Sequence, residues 1–191
     1  MTELKGRGER QAKQSLGVFT NFPNIVHGIG EAVHNDPLYK LQQATITALK
    51  ELNNYREPYP LSISGKSGTY MGILGFEIGV AEDIFFNYLD NETVQRLCKL
   101  LNPRRNYHLL DFLIIVTYHY VQQKKRIPLN FDHFHLRLIF NKRRMECRLF
   151  HNKGTRRIPI DEMLYRIFDQ IRNSMTRSSL GSLTIKKMKT L

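Results

Sequence analysis

One segment constrains the fold more than any other: Phe131–Phe140, FDHFHLRLIF, alternates apolar and polar positions along its whole length. Asp132, Phe134, Leu136, Leu138 and Phe140 share one face, and His133, His135, Arg137 and Ile139 share the other. A period of two belongs to an extended strand and cannot be presented by a helix. Asn141–Arg144 follows as a polar turn, and Met145–His151 resumes an apolar pattern. The sequence therefore predicts a β-hairpin with a basic tip. Gly154 marks a second turn, and Pro159 limits RRIPI to a short edge strand at most. Asp161 is placed to cap a final helix whose apolar face is Met163, Leu164, Ile167, Phe168 and Ile171.

Upstream, the pattern reads differently. Residues 1–14 are polar and predict a flexible arm, and Gly17, Pro23, Gly28 and Gly30 break the next stretch into short extended pieces. Asp36 as cap and Pro37 at the first helical position open a helix that carries Leu41, Ala44, Ala48, Leu49 and Leu52 inward. Residues 61–80 admit two readings, a strand hairpin around Ser64–Gly68 or a helix striped with four glycines. The helix would cost about 4 kcal/mol relative to alanine, so strands are preferred. Ala81–Leu89 reads as helical, a further helix runs from Asp90 or Asn91 to Leu101, and Asn102–Pro103 ends it with Arg104 and Arg105 in the turn. Tyr107–Gln123 is apolar nearly all round and predicts a helix at the centre of the core. Residues 176–191 predict a flexible basic tail. The expected architecture is α+β: one domain over residues 15–175, helices packed on a small antiparallel sheet, with the basic hairpin followed by a helix.

Charge is distributed as unevenly as hydropathy. Residues 1–123 hold 12 basic and 12 acidic side chains, and residues 124–191 hold 17 and 5, so the net charge of +12 belongs to the last third. Its densest part is Lys124, Lys125, Arg126, Arg137, Lys142, Arg143, Arg144, Arg148, Lys153, Arg156 and Arg157. Cations on strand ends and loop tips reach phosphate oxygens, and arginine forks onto them. His133 and His135 add rings that stack on bases or donate to phosphate. Together these residues form the candidate nucleic-acid surface. The alternative use of such charge is a solvated edge that discourages strand pairing between molecules.

The patterns of catalysis are weak. Gly65-Lys66-Ser67 lacks the leading glycine of a phosphate loop, since Pro60 stands there, and Gly68 stands where a helix should open. No nucleophile elbow occurs. His133 and His135 share a face, yet His119, His151 or Asp132 would have to complete a metal site, and Asp132 points to the opposite face. No cofactor and no metal are expected. Cys98 and Cys147 match no redox or ligand spacing and suit a reducing, intracellular setting. Neither a signal peptide nor a membrane span is readable. The leading expectation is non-catalytic nucleic-acid binding, RNA favoured over DNA, because the basic residues do not lie on a recognition helix. One alternative is an assembly protein that meets an anionic membrane or acidic protein through the same surface. Another is an enzyme with its site around His133, His135 and Arg137.

Overall fold

Leu109–Gln122 is a strand, and the fold is built around it. The computed structural model describes residues 15–17, 19–53, 55–63, 67–82, 85–122 and 125–191. The elements are β1 (Ser15–Leu16), β2 (Gly28–Val33), α1 (Leu38–Leu52), β3 (Arg56–Ser62), β4 (Thr69–Glu82), β5 (Phe85–Tyr88), α2 (Asn91–Leu100), β6 (Leu109–Gln122), β7 (Lys125–Pro128), β8 (Asp132–Asn141), β9 (Arg144–Lys153), α3 (Ile160–Arg177) and β10 (Thr184–Thr190). All ten strands join one sheet, in the order β10-β2-β9-β8-β6-β4-β3. β1, β5 and β7 are added beside β6, β4 and β6. Every pairing is antiparallel except the short one between β1 and β6. The sheet curls into a half-barrel, and strand outweighs helix by 48% to 26%.

That result corrects the expected architecture of helices on a small sheet. The reason lies in β6. Its inner face, Leu110, Phe112, Ile114, Val116 and Tyr118, is fully buried, and on its outer face Asp111 is buried while Leu113 and Ile115 are half-buried. A strand covered on both faces reads as a continuous apolar run, as a buried helix does. Ala81–Leu89 is likewise the end of β4 followed by β5, not a helix. The tail is also placed: α3 continues to Arg177, and Thr184–Thr190 pairs with β2 as an edge strand. RRIPI is a loop. The predicted arm 1–14 and the tip of the predicted 64–68 turn at residues 64–66 lie outside the described residues.

The inner face of the sheet holds α1 and α3. The face of α3 read from the sequence is the buried one, Met163, Leu164, Ile167, Phe168 and Ile171. It approaches β2 closely because Gly28 and Gly30 stand there: a Cβ on Gly28 would overlap Ile160, and one on Gly30 would overlap the Phe168 ring. Buried Asn53, just after α1, fixes the helix to the sheet. Its Nδ2 donates to Ile78 O and Leu89 O at 2.9 Å each, and its Oδ1 accepts from the Ile78 N–H. Asp90 caps α2 by accepting from the Thr93 N–H at 2.7 Å. Asp36 and Asp161 do not cap: prolines 37 and 159 stand at the two caps and neither helix has a side-chain cap bond. Among the described residues no helix is long and apolar enough to cross a membrane.

Candidate nucleic-acid interface

The basic residues singled out in the sequence do not form one surface. β8 is ten residues long, so its two ends lie about 30 Å apart. Lys142, Arg143 and Arg144 occupy the β8–β9 tip at one end. Lys153, Arg156 and Arg157 lie at the other, where Lys153 stands opposite His133. Lys125 and Arg126 pair with the last residues of β6, further along in that second direction. Lys124 lies outside the described residues.

Arg137, His135 and Arg148 are held in internal contacts. Arg137 donates from Nε to Asp111 Oδ1 at 2.8 Å and from Nη2 to Asp111 Oδ2 at 2.7 Å, and its guanidinium lies over the Phe22 ring at 4.3 Å. Asp111 also accepts from the Phe19 N–H at 3.0 Å, and the Phe19 ring stacks on His135 at 4.3 Å with an interplanar angle of 15°. Residues 19–27 thus form a strap over the outer face of the sheet. Its far end is held by His27, which stacks on Phe150 and whose Nδ1 accepts from the His151 N–H at 2.9 Å. Arg148 pairs with Glu146. His135 is thus covered by an aromatic ring, and Arg137 is paired with a buried carboxylate.

Asp132 is a hub that the sequence did not reveal. Its side chain is fully buried and accepts four bonds: from Tyr118 Oη at 2.6 Å, His151 Nε2 at 3.1 Å, the Arg156 N–H at 2.6 Å and the Arg157 N–H at 3.0 Å. Burial alone would raise its pKa, but the Tyr118 hydroxyl and the other donors outweigh it and hold the carboxyl below its usual value. The loop that supplies the amides bends tightly, with Gly154 at φ 117° and Arg156 at φ 50°. Arg157 extends from it to donate to Ser62 O at 2.8 Å. This end of the sheet is therefore organised around an internal anion. Among the described residues no group of three or more His, Cys, Asp or Glu converges as a metal site. Burial pushes the thiols of Cys98 and Cys147 up, which disfavours the reactive thiolate.

The tip end is different. Lys142, Arg143 and Arg144 are exposed, and two distant segments join them. The turn after α2, closed by reciprocal bonds between Asn102 and Arg105, carries exposed Arg104 and Arg105. It lies beside the tip because Phe140 and His108 exchange bonds, and Pro103 and Asn106 line a groove with Lys142 and Arg143. From the other side β10 brings Lys186 into a second groove with Arg144. Among the described residues none of these six cations forms an ion pair. Sequence reading missed Arg104, Arg105 and Lys186 as partners of the tip, since nothing local in them announces a neighbour some 40 residues away.

No family model, curated protein or solved structure matches this chain.

The strap makes stability depend on pH. Burial lowers the pKa of His27, with Arg156 and His151 adding to it. Burial also lowers His133, beside Lys153, Asp132 and His151, and His135, between His133 and Asp111. A histidine whose folded pKa is depressed binds fewer protons folded than unfolded. Its stabilisation is full above the unfolded value near 6.5 and is lost as pH falls through and below that value. The urea midpoint is expected to drop between pH 7.5 and pH 5.5, and to drop less in His135→Phe, whose ring keeps the stack on Phe19. A midpoint constant over that range would contradict this account.

Proposed function

We propose that this protein binds nucleic acid, RNA ahead of DNA, through the tip end of its sheet, and performs no chemistry there. The observation that supports the reading is the convergence of three basic segments, Arg104–Arg105, Lys142–Arg144 and Lys186, six cations at one end of the sheet that form no ion pair among the described residues. Cations without internal partners are free to displace the counterions of a polyphosphate backbone. The preference for RNA rests on where the charge is not. Arg166 and Arg177 of α3 are taken up by Glu57, Glu162 and Glu51, which weakens α3 as a basic helix for major-groove reading.

The membrane alternative finds exposed Met188 and Leu191 at β10 but no apolar side chain at the tip itself. No exposed large apolar side chain among the described residues lies on the tip or on the turn after α2, so an anionic bilayer would gain no insertion there. The decisive variant is Lys142→Ala, Arg143→Ala, Arg144→Ala in one chain. Because all three side chains are exposed, the fold should survive. Binding to a short RNA should weaken, and the slope of log affinity against log salt should flatten by about 2, at roughly 0.7–0.9 per phosphate contact. Unchanged affinity and slope, or binding to phosphatidylserine vesicles in preference to RNA, would overturn the proposal.

A further inference from the structure

The strap covers only part of the outer face. Toward the β6–β7 end, the pairing registers lay out two rows of side chains across four strands. Leu74 and Tyr118 are buried on the inner face, so Ile73 and His119 beside them turn outward. Pairing then sets Pro58, Ile73, His119 and Pro128 side by side on β3, β4, β6 and β7. Two residues further on, the same strands present Pro60, Met71, Val121 and Arg126. At about 4.8 Å between strands, each row is about 14 Å wide. Met71 is 62% exposed and Val121 50%. Phe131, 48% exposed, has its ring 5.0 Å from that of His133 on the same face and carries the apolar surface toward β8. Three of the eight exposed large apolar side chains among the described residues thus share one surface, whereas scattered ones would need no explanation.

The rim of this surface is cationic. Arg126 ends one row, Lys125 opens β7 beside it, and Lys153 stands opposite His133. The Arg56 guanidinium folds across Gly75, which pairs with Thr117 one row below His119. None of these four cations forms an ion pair among the described residues. Half-buried Glu77, paired with Ile115, is the acid that the register places nearest. A second copy docked face to face would bring like charges together. RNA would stack on Phe131 but leave Met71, Val121 and the prolines unused. An anionic bilayer uses both parts: apolar side chains enter the acyl boundary while lysine and arginine reach back to the headgroups. The free edge agrees, because Pro58 and Pro60 of β3 carry no N–H that a dry medium would leave unpaired. We infer that this end of the outer face rests on an anionic lipid surface, with Met71, Val121 and Phe131 inserted and Arg126 and Lys153 on lipid phosphates. The contact goes beyond the nucleic-acid reading and does not depend on it, since the tip lies at the opposite end of β8, about 30 Å away.

The test floats the full chain with vesicles of phosphatidylcholine alone and of phosphatidylcholine mixed with phosphatidylserine. Mixed vesicles should bind it, more weakly than RNA does, and neutral vesicles much less. Met71→Ser, Val121→Ser, Phe131→Ser in one chain should cut vesicle binding about 10-fold and leave RNA binding unchanged. Arg126→Ala, Lys153→Ala should cut it about 25-fold, at about fivefold per cation, on mixed vesicles only. All five side chains are exposed, so the fold should survive both changes. The triple tip variant should lose RNA and keep the vesicles. Vesicle binding that ignores the triple outer-face variant, or that falls only in the tip variant, is plain charge attraction and would overturn the inference, as would no binding to mixed vesicles. Loss of RNA but not of vesicles in the outer-face variant would assign this surface to nucleic acid instead. If vesicles pass every test and RNA does not bind at all, the nucleic-acid reading fails and this one stands.

Discussion

Asp132→Ala is expected to lower the stability of this protein by about 3–5 kcal/mol, because it removes a buried charged acceptor from four donors at once. The buried Tyr118 hydroxyl and the part-buried amides of Arg156 and Arg157 would lose their acceptor. Arg156 holds φ 50°, a conformation costing of order 1–3 kcal/mol for a side chain other than glycine, and its bond to Asp132 is what compensates. The loss should therefore be local as well as global. Amide exchange at residues 156 and 157 should accelerate beyond the change in overall stability, and Asp132→Asn, which retains one oxygen, should be milder. Urea unfolding followed by circular dichroism measures the first, and hydrogen exchange the second. A loss of less than about 1 kcal/mol for the alanine variant would mean the loop is held by other contacts.

Gly30→Val is expected to be nearly as damaging, by about 3 kcal/mol, for the opposite reason: it adds atoms where there is no space. The Phe168 ring is fully buried and lies where the new Cβ would stand, and neighbouring Gly28 is pressed by Ile160 and Leu164 in the same way. α3 would have to lift from β2, and β2 is held between β9 and β10. Trimming the obstacle should restore part of the loss. The double variant Gly30→Val, Phe168→Leu is expected to be more stable than the sum of the two single effects allows, a coupling that thermal or urea unfolding of all four proteins would reveal. Strict additivity would show that the two side chains do not meet.

How much of this was legible in the sequence depended on whether one face of an element meets water. β8 and β9 are polar on one face and apolar on the other, so their alternation survived into the sequence, and the hairpin over residues 131–151 could be read to within a residue or two. The same holds for α1 and α3. β6 had no wet face for most of its length, and its alternation was erased by the strap above and the helices below. Its composition nonetheless carried a signal that periodicity did not: Ile114, Ile115, Val116, Thr117, Tyr118, Tyr120 and Val121 are β-branched or aromatic, types that favour a pleated strand over a helix. β10 was hidden for another reason. Its side chains are mostly exposed, three of the seven being lysines, and what orders it is backbone pairing with β2, which no side-chain pattern reports.

The candidate site divides along similar lines. The density of cations was visible, but their use was not. Arg137 and Arg148 look like Lys142 and Arg143 in the sequence, and only the fold shows that the first two face carboxylates while the others face outward. His133 and His135 were grouped with them by spacing, and the structure moves His135 under the strap. The residues that turn a basic hairpin into a defined end of the molecule come from Arg104, Arg105 and Lys186, and their neighbourhood is a property of topology alone.

The place of β2 in the sheet governs the order in which the chain can mature as it leaves a ribosome. β2 ends at Val33, yet its two flanking strands begin at Arg144 and Thr184. β2 must therefore wait through the synthesis of about 110 residues before its first neighbour begins to form, and about 150 for its second. Closing such long loops before any reward arrives makes folding slow. A nascent chain of this kind carries GIGEAV, short and rich in small residues, without its sheet neighbours over that stretch, and it needs shielding until β9 and β10 emerge.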